Sequence, residues 1–215
     1  MQDEKHQIVN KIKYSYSTDW IYNLESKDHW LLYHEQQRLM KNLVSKGDQV
    51  LEIGPGTGFC SNYLKAKGVK VTTLDIDEGK KPDLNKNIVK FQPEQRYDHI
   101  LAFEVFEHIP YNECIKVLKR LKGFCNNIFL SLPVNELRLI DGIIFLPIIK
   151  KISFSVFLPR NKITENHHFW EVNDKHHKKK KIIRDFQALG YSAAEVRKYK
   201  SRIFIRLQNT GKSQA

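Results

Sequence analysis

Short apolar runs alternate with amphipathic stretches of about ten residues through the middle of the chain, between residues 45 and 134. The runs QVLEIG, VKVTTLDI, YDHILAFEV and NNIFLSLPV predict buried strands, and one more short strand is expected within residues 82–89. Helices are predicted between them at FCSNYLKAKG and YNECIKVLKRLKG. Strands that alternate with helices in this way indicate an α/β fold, in which helices cover both faces of a mainly parallel sheet.

The flanking segments extend this pattern at both ends. Residues 19–45 repeat apolar positions at helical spacing, so we expect residues 1–45 to form an N-terminal helical cap. KHHKKKKIIRDFQALG predicts a last helix, and YSAAEVRKY and SRIFIRL predict an antiparallel strand pair at one edge of the sheet. Residues 135–170 interrupt the rhythm with apolar clusters around two prolines and are predicted to be a lid-like insertion. We therefore expect residues 1–215 to form a single domain.

Composition limits the classes of protein to which the chain can belong. Its 215 residues are 41% hydrophobic and 28% charged, which suits a globular fold and excludes a chain that is disordered throughout. The longest apolar run, residues 143–149, is far shorter than the roughly 20 residues of a transmembrane helix, and the first residues do not resemble a secretory signal. The cysteines have unrelated spacings, and the paired histidines near the C-terminus lack a carboxylate or cysteine at ligand spacing; neither a disulfide framework nor a metal site is predicted. These features favour a cytoplasmic protein.

The net charge of +12 is concentrated towards the C-terminus. Residues 175–206 contain eleven basic and two acidic side chains, whereas residues 1–174 are close to neutral. A basic segment of this kind attracts nucleic acid, phospholipid or phosphorylated small molecules. A surface that binds RNA more often mixes arginine and aromatic residues with its lysines than the run HHKKKK at 176–181 does. The preferred interpretation is a solvated helix face that associates weakly, at most, with anionic surfaces.

The segment with the most specific chemistry is the turn after the first predicted strand of the sheet, from Glu52 to Gly58. Its glycines stand at alternate positions, where a ligand can approach bare backbone, and the helix that follows offers unpaired N–H groups. Asp75, at the end of the second predicted strand, is placed to accept both hydroxyls of a ribose. A dinucleotide fingerprint needs a glycine at position 59, but Phe59 occupies it. Because Glu52 would repel a pyrophosphate, a positively charged ribose-containing cofactor without phosphate fits better.

At these residues the chain resembles the class I S-adenosylmethionine-dependent methyltransferases. Residues 52–58 match the family's first motif, acidic-x-Gly-x-Gly-x-Gly, and Asp75 matches its second acidic position. Residues 97–109, YDHILAFEVFEHI, match the family's fourth strand and the Val-x-Glu-His turn that follows it in the small-molecule branch. The three motifs occur in the family's order within residues 45–134, which makes the resemblance far more specific than a glycine motif alone.

The resemblance implies both an architecture and a cofactor site. The fold is expected to be a doubly wound, Rossmann-like, seven-stranded and mostly parallel sheet in the order 3-2-1-4-5-7-6, with the last strand antiparallel. Many relatives carry an acidic residue after the third strand that contacts the adenine amino group; here Asn87 stands nearest and can still accept a hydrogen bond, unless Asp83 takes the role. The cofactor is expected to be S-adenosylmethionine, bound by Glu52, Gly54, Pro55, Gly56, Thr57, Gly58, Asp75, Ile76, Asn87 and Glu104.

Methyl transfer from a sulfonium depends mainly on holding the nucleophile in line with the methyl group, about 3 Å away and shielded from water. The predicted lids are the N-terminal helix, with Trp20, Tyr22, Trp30 and Tyr33, and the insertion at 135–170. A hydroxyl nucleophile also benefits from a general base, for which histidine is the usual residue near neutral pH.

Two histidine contexts compete for the role of base. His108 follows the fourth predicted strand of the sheet, and its alternative role is to cap the next helix or to order the loop. His168 lies in the stretch HHFWE, which resembles one found after the strand-five insertion in small bacterial and archaeal members of the family. We favour His168 as the base, with Glu171 in a supporting catalytic role. Trp170 is expected to provide a flat wall for the acceptor or a face for the cationic sulfonium. The alternative is that Trp170 packs in the core and Glu171 caps a helix or strand.

The insertion LIDGIIFLPIIKKISFSVFLP is largely apolar, with two central lysines. Such a segment can rest on a membrane surface or line a pocket for a lipophilic acceptor. It can also fold as a lid that buries its apolar residues against the sheet, which is the commoner arrangement.

Together these features predict an S-adenosylmethionine-dependent methyltransferase that acts on a small-molecule acceptor, including one that is linked to a glycan or a lipid. An RNA methyltransferase that uses residues 175–206 is the alternative, but the chain lacks an Asn/Asp-Pro-Pro-aromatic motif, so nucleic acid is not the expected partner. A non-catalytic cofactor-binding protein is a third interpretation, which the intact Glu52, glycines and Asp75 disfavour.

Overall fold

The computed structural model describes residues 5–9, 11–16, 26–144, 152–160, 163 and 167–211. Trp20 and Tyr22, two of the predicted lid residues, lie outside these ranges. The described residues form, in chain order, β1 (Lys5–Val9), β2 (Ile12–Tyr16), α1 (Lys27–Met40), β3 (Gln49–Ile53), α2 (Phe59–Ala66), β4 (Lys70–Asp75), β5 (Leu84–Asn85), β6 (Tyr97–Phe103), α3 (Tyr111–Leu121), β7 (Cys125–Pro133), β8 (Glu136–Ile144), β9 (Ile152–Pro159), α4 (Lys179–Ala188), β10 (Tyr191–Tyr199) and β11 (Arg202–Asn209).

The central sheet has seven strands in the order β10-β11-β7-β6-β3-β4-β5. When the seven strands of this sheet are numbered 1 to 7 in chain order, their order is the predicted 3-2-1-4-5-7-6. Strands β3 to β7 pair in parallel, whereas β11 is antiparallel to both of its neighbours. The predicted Rossmann-like α/β fold and its antiparallel last strand are confirmed. The carboxyl ends of β3, β4 and β6 therefore meet at one edge of the sheet, where a doubly wound fold binds its ligand.

Side chains alternate across the sheet, so each strand contributes to a core on both faces. Leu51 and Ile100 belong to the apolar cluster that α3 and α4 cover. Val50 and Leu101, their immediate neighbours in sequence, belong to the cluster that α1 and α2 cover. Because the strands are buried from both sides, they appear in the sequence as short continuous apolar runs.

The N-terminal cap is only partly helical. Helix α1 is present, and the hydroxyl of Ser26 caps it by accepting a hydrogen bond from the backbone N–H of His29 at 3.3 Å. Residues 5–9 and 12–16 instead form two antiparallel strands, which corrects the expectation of helix for this part of residues 1–45. Between the strands, Lys11 has a φ of +65°. The β-branched and aromatic residues on either side favour strands, and two of these residues, Val9 and Tyr14, pack in the core.

The insertion at 135–170 contains a second separate hairpin, β8 paired with β9. Its described apolar side chains lie mostly at the surface; the alternative in which the insertion buries them against the sheet is wrong for these residues. No helix in the described ranges is both long enough and apolar enough to cross a membrane.

Candidate active site

The glycine turn begins directly after β3 and has a backbone that only glycine adopts easily. Gly54, Gly56 and Gly58 have φ values of +66°, +56° and +77°, in the left-handed region. The backbone N–H of Gly58 donates to the carbonyl of Pro55 at 2.8 Å, which closes the turn at the start of α2. A Cβ added to Gly54 would lie 2.7 Å from Cγ2 of Val105. Gly54 therefore packs against Val105 with no room for a side chain, and the turn carries the chain from the end of β3 into α2 through left-handed glycines.

Two buried carboxylates flank this turn. Glu52 lies in β3, and burial raises its pKa to about 7 despite nearby hydrogen-bond donors; its Oε2 has no hydrogen-bond partner in the part of the chain that the structure describes. Asp75 ends β4 and is held on both oxygens: Oδ1 accepts from the backbone N–H of Asp77 at 2.8 Å, and Oδ2 pairs with Lys80 Nζ at 3.1 Å. Lys80 is a further residue of this edge that the sequence motifs did not indicate.

Glu104 stands at the end of β6, on the other side of β3 from Asp75. It has a φ of +53°, which is strained for a residue other than glycine. Its Oε1 accepts a hydrogen bond from the hydroxyl of Ser131 at 2.7 Å, and its Oε2 pairs with Arg202. The structure thus brings residues 52–58, Asp75, the adjacent Ile76 and Glu104 to the same edge of the sheet.

Asn87 lies on the far side of this edge, against the N-terminal hairpin. Its Nδ2 donates to Oε1 of Gln7 at 3.1 Å, and its Oδ1 accepts from the backbone N–H of Val89 at 2.9 Å. It also lines a cleft of about 450 Å³ between β1 and residues 86–94. Asp83 accepts from both the N–H and the hydroxyl of Thr73 at 2.8 Å, which lowers the pKa of its carboxyl. The Oδ1 to which the adenine contact was assigned thus already accepts one hydrogen bond and has one lone pair left for a second.

Helix α1 packs against the glycine turn through aromatic side chains. The hydroxyls of Tyr33 and Thr57 lie 3.0 Å apart. The ring of Phe59, the residue after Gly58, lies 4.4 Å from the ring of Tyr33 and 5.0 Å from that of Trp30, measured between centroids. Of the residues predicted to belong to a lid, Tyr33 is therefore in direct contact with the glycine turn, and Trp30 contacts the first residue of α2.

The two competing histidines belong to one cluster. Nδ1 of His168 lies 2.7 Å from Oε1 of Glu171, and both side chains are almost completely buried. The His108 ring packs edge-on against that of His168, with centroids 4.9 Å apart, and its Nδ1 lies 3.3 Å from the carbonyl of His167. Burial and the neighbouring His168 lower the pKa of His108 to about 4, so this imidazole is neutral near pH 7.

Backbone and core contacts hold the HHFWE stretch against the turn after β6. The backbone N–H of Phe169 donates to the carbonyl of Glu107 at 2.8 Å. Trp170 is fully buried, and its indole N–H lies 3.0 Å from the carbonyls of Phe106 and Ile109. The prediction that Trp170 forms a wall for the acceptor is wrong; the alternative, in which it packs in the core, is what the structure shows.

Glu107 is a residue of this cluster for which the sequence predicted no role. One ligand-type atom from each of Glu107, His108 and His168 lies within 4.8 Å of the others. No metal site was predicted because the paired histidines were judged to lack a carboxylate or cysteine at ligand spacing, whereas Glu107 and His108 lie some sixty residues from His168 along the chain. This arrangement has chemistry of two kinds available: it can accept a proton from a bound acceptor, or it can hold a cation.

Comparisons with known proteins agree with this geometry. A family model described as "Methyltransferase domain" matches residues 28–193. Among solved structures, the complex of DhpI with SAH is similar with a TM-score of 0.57 and 13% identity, covering 89% of this chain and 91% of DhpI. The magnesium protoporphyrin IX methyltransferase of Synechocystis PCC 6803, with bound SAM, is similar with a TM-score of 0.55 and 15% identity, over 85% of this chain and 79% of that one.

A curated relative is similar over a shorter stretch. Ribosomal RNA small subunit methyltransferase A of Mesomycoplasma hyopneumoniae (strain 232) is 31% identical over 96 residues, which are 40% of this chain and only 36% of that protein. The family model, by contrast, spans most of the chain, from α1 to the start of β10, and includes the glycine turn and the histidine cluster. The chain therefore belongs to the methyltransferase-domain family, and the family that its motifs predicted is confirmed.

Proposed function

We propose that this enzyme methylates a small-molecule acceptor through a nucleophile that must lose a proton, such as a hydroxyl. The observation that carries the proposal is the buried His168–Glu171 pair, with 2.7 Å between Nδ1 and Oε1, beside His108 at the turn after β6. A histidine oriented by a carboxylate is the usual general base for such a nucleophile. A nucleophile that is already deprotonated would have no use for this pair.

The residues at the edge of the sheet fit the cofactor. The left-handed glycines leave backbone that a ligand can approach, and the buried Oε2 of Glu52 can accept a hydrogen bond from the cofactor's ammonium group. Asp75, whose carboxylate Lys80 and the Asp77 N–H hold in place, would bind the ribose hydroxyls. S-adenosylmethionine supplies an electrophilic methyl group on a sulfonium, which leaves as a neutral thioether.

The histidine cluster would act on the acceptor rather than on the cofactor. Because Nδ1 of His168 donates its proton to Glu171, the basic lone pair of this tautomer lies on Nε2. Nε2 would take the proton of the acceptor as its oxygen attacks the methyl group, and the carboxylate of Glu171 would stabilise the imidazolium that forms. His108 stays neutral beside it, since its pKa of about 4 is well below physiological pH, and so it adds no repulsion to that imidazolium.

Several similar structures favour an acceptor of modest size. They are a complex of DhpI with SAM and HEP, a 1,6-didemethyltoxoflavin-N1-methyltransferase from Burkholderia thailandensis and a glycopeptide N-methyltransferase. The competing proposal is an RNA acceptor, for which the ribosomal RNA methyltransferase relative and the exposed lysines 178–181 are the specific observations. The basic residues lie mainly in α4 and β10, and the relative matches only part of the chain, so we favour the small molecule.

The two proposals separate in a transfer assay with S-adenosylmethionine that carries a labelled methyl group. Purified enzyme is incubated with pools of hydroxylated metabolites, glycan- and lipid-linked intermediates, and total RNA. We expect label in a small hydroxylated compound and only background counts in RNA. Label that enters a defined RNA at a rate above that of every small molecule would replace our proposal with the RNA methyltransferase.

A further inference from the structure

The exposed apolar side chains of this protein are concentrated in one hairpin. Among the described residues, twelve large hydrophobic side chains are exposed, and seven of these belong to β8 and β9. The seven are Leu137, Leu139, Ile140, Ile144, Phe154, Val156 and Leu158. Scattered single apolar residues are normal on a surface, but a contiguous apolar patch marks a site of interaction.

The strand register places most of these side chains on the same face. Leu137 pairs with Leu158, Ile140 with Val156, and Gly142 with Phe154. Directly paired residues point to one side of a sheet, and the irregularity between Arg138 and Ile140 restores the alternation in β8. The Phe154 ring lies over Gly142, where an added Cβ would be 2.5 Å from it. The result is an apolar face in which a glycine makes room for an aromatic ring.

The base of the hairpin contacts the basic segment and lies beside the candidate active site. β8 begins three residues after β7 ends, at the carboxyl edge of the sheet. Lys198, in the edge strand β10, pairs with Glu136 at 2.7 Å and has its Nζ 4.0 Å from the centre of the Phe157 ring. Phe157 lies between Val156 and Leu158 in the strand, so this lysine contacts the face of the hairpin opposite the apolar one. The basic segment 175–206, which has a net charge of +9, is thus joined to the hairpin through Lys198.

The charge of the protein indicates which kind of partner binds this face. A second copy of the chain would bring another net charge of +12 against the first, which opposes self-association through this region. A bilayer with anionic headgroups offers both an apolar interior for the hairpin and negative charge for the basic segment. We propose that the apolar face of the β8–β9 hairpin docks on an anionic phospholipid membrane, which places the active site at the surface where lipid-linked acceptors occur.

The test is co-sedimentation of the full-length protein with vesicles. Vesicles of phosphatidylcholine with roughly 30% phosphatidylglycerol, a content that gives a strongly negative surface, are compared with pure phosphatidylcholine, at low and high salt. The triple variant Ile140→Thr, Val156→Thr, Leu158→Thr removes apolar surface but keeps β-branched residues that suit strands. A control variant, Ile8→Thr with Tyr63→Thr, removes exposed apolar side chains outside the hairpin.

We expect the wild type and the control variant to bind the anionic vesicles and to be released by salt. The triple variant should bind at least about tenfold more weakly while it melts at the same temperature as the wild type. Wild-type protein that does not bind, or a triple variant that binds as tightly as the wild type, overturns the proposal. A wild-type dimer that the triple variant converts to a monomer would assign the face to a second copy instead. The assay involves no methyl transfer, so its outcome is independent of the proposed reaction.

Discussion

Nδ1 of His168 lies 2.7 Å from Oε1 of Glu171, and neither side chain is appreciably exposed. A buried imidazole that donates to a buried carboxylate is fixed in one tautomer and in one orientation. In the proposed reaction this orientation leaves Nε2 to take the proton of the acceptor. The pair is in ring contact with His108 and is joined to the turn after β6, so the three side chains form a single cluster.

Replacing His168 tests this role directly. His168→Ala should reduce kcat by about two to four orders of magnitude, the usual contribution of a general base, and should leave the affinity for S-adenosylhomocysteine nearly unchanged. His108→Ala, made in parallel, should cost less, because the low pKa of His108 makes it a poor proton acceptor. Steady-state kinetics and calorimetric binding give both quantities. An essential His108 beside a dispensable His168 would move the base to the strand turn.

Much of the site could be predicted because it is encoded locally. The glycine turn, Glu52 and Asp75 occur at the ends of apolar runs, and the parallel sheet brings such ends together whatever the remaining sequence. The histidine cluster could not be assembled in this way. His108 and His168 meet only because Phe169 bonds to Glu107 and the buried Trp170 bonds to the same turn, and no local pattern shows contacts over some sixty residues.

Two expectations from the sequence were wrong, a helix at the N-terminus and a buried insertion, because local sequence again did not show the pairing of the strands. The strands of residues 5–16 are five residues each, too short to show a clear period, and a helix follows them soon after. In the insertion the sequence showed apolar residues, and apolar residues are usually buried. Only the register of β8 against β9 shows that they share one exposed face.

Asp75→Ala should weaken the binding of S-adenosylhomocysteine by roughly 1–3 kcal/mol, because two ribose hydroxyls would lose their acceptor. Asp83→Ala is the matched control. Asp83 is eight residues from Asp75 in sequence, but its carboxylate accepts hydrogen bonds from Thr73 at 2.8 Å, so its loss should leave the affinity unchanged. Isothermal titration calorimetry measures both. Equal affinity of Asp75→Ala and wild type, or tighter binding of NAD than of S-adenosylhomocysteine, would contradict the assignment.

Chelation separates the two kinds of chemistry open to Glu107, His108 and His168. If His168 accepts a proton, dialysis against EDTA should leave kcat within about twofold of an undialysed sample, since proton transfer by histidine requires no ion. A loss of activity that Zn²⁺ or Mn²⁺ restores would show that the cluster holds a cation. Metal analysis of the purified protein before and after dialysis completes the comparison.

Glu52 should give both stability and cofactor binding a characteristic dependence on pH. Burial raises the pKa of Glu52 from its ordinary 4.5 to about 7, so between these values the folded protein holds a proton that the unfolded chain has lost. The free energy of unfolding should therefore fall as pH rises from 4.5 to 7, by about 3 kcal/mol, and should change little from this group outside that window. Glu52→Gln removes the titrating proton, so the difference in unfolding free energy between wild type and variant should follow this curve in urea titrations.

The affinity for S-adenosylhomocysteine should change with pH in the opposite direction, because the ammonium group of this ligand favours the ionised carboxylate of Glu52. Wild-type affinity should rise between pH 6 and 8, while that of Glu52→Gln stays weaker and nearly flat. Parallel pH profiles for the two proteins would mean that Glu52 does not contact the charged end of the cofactor.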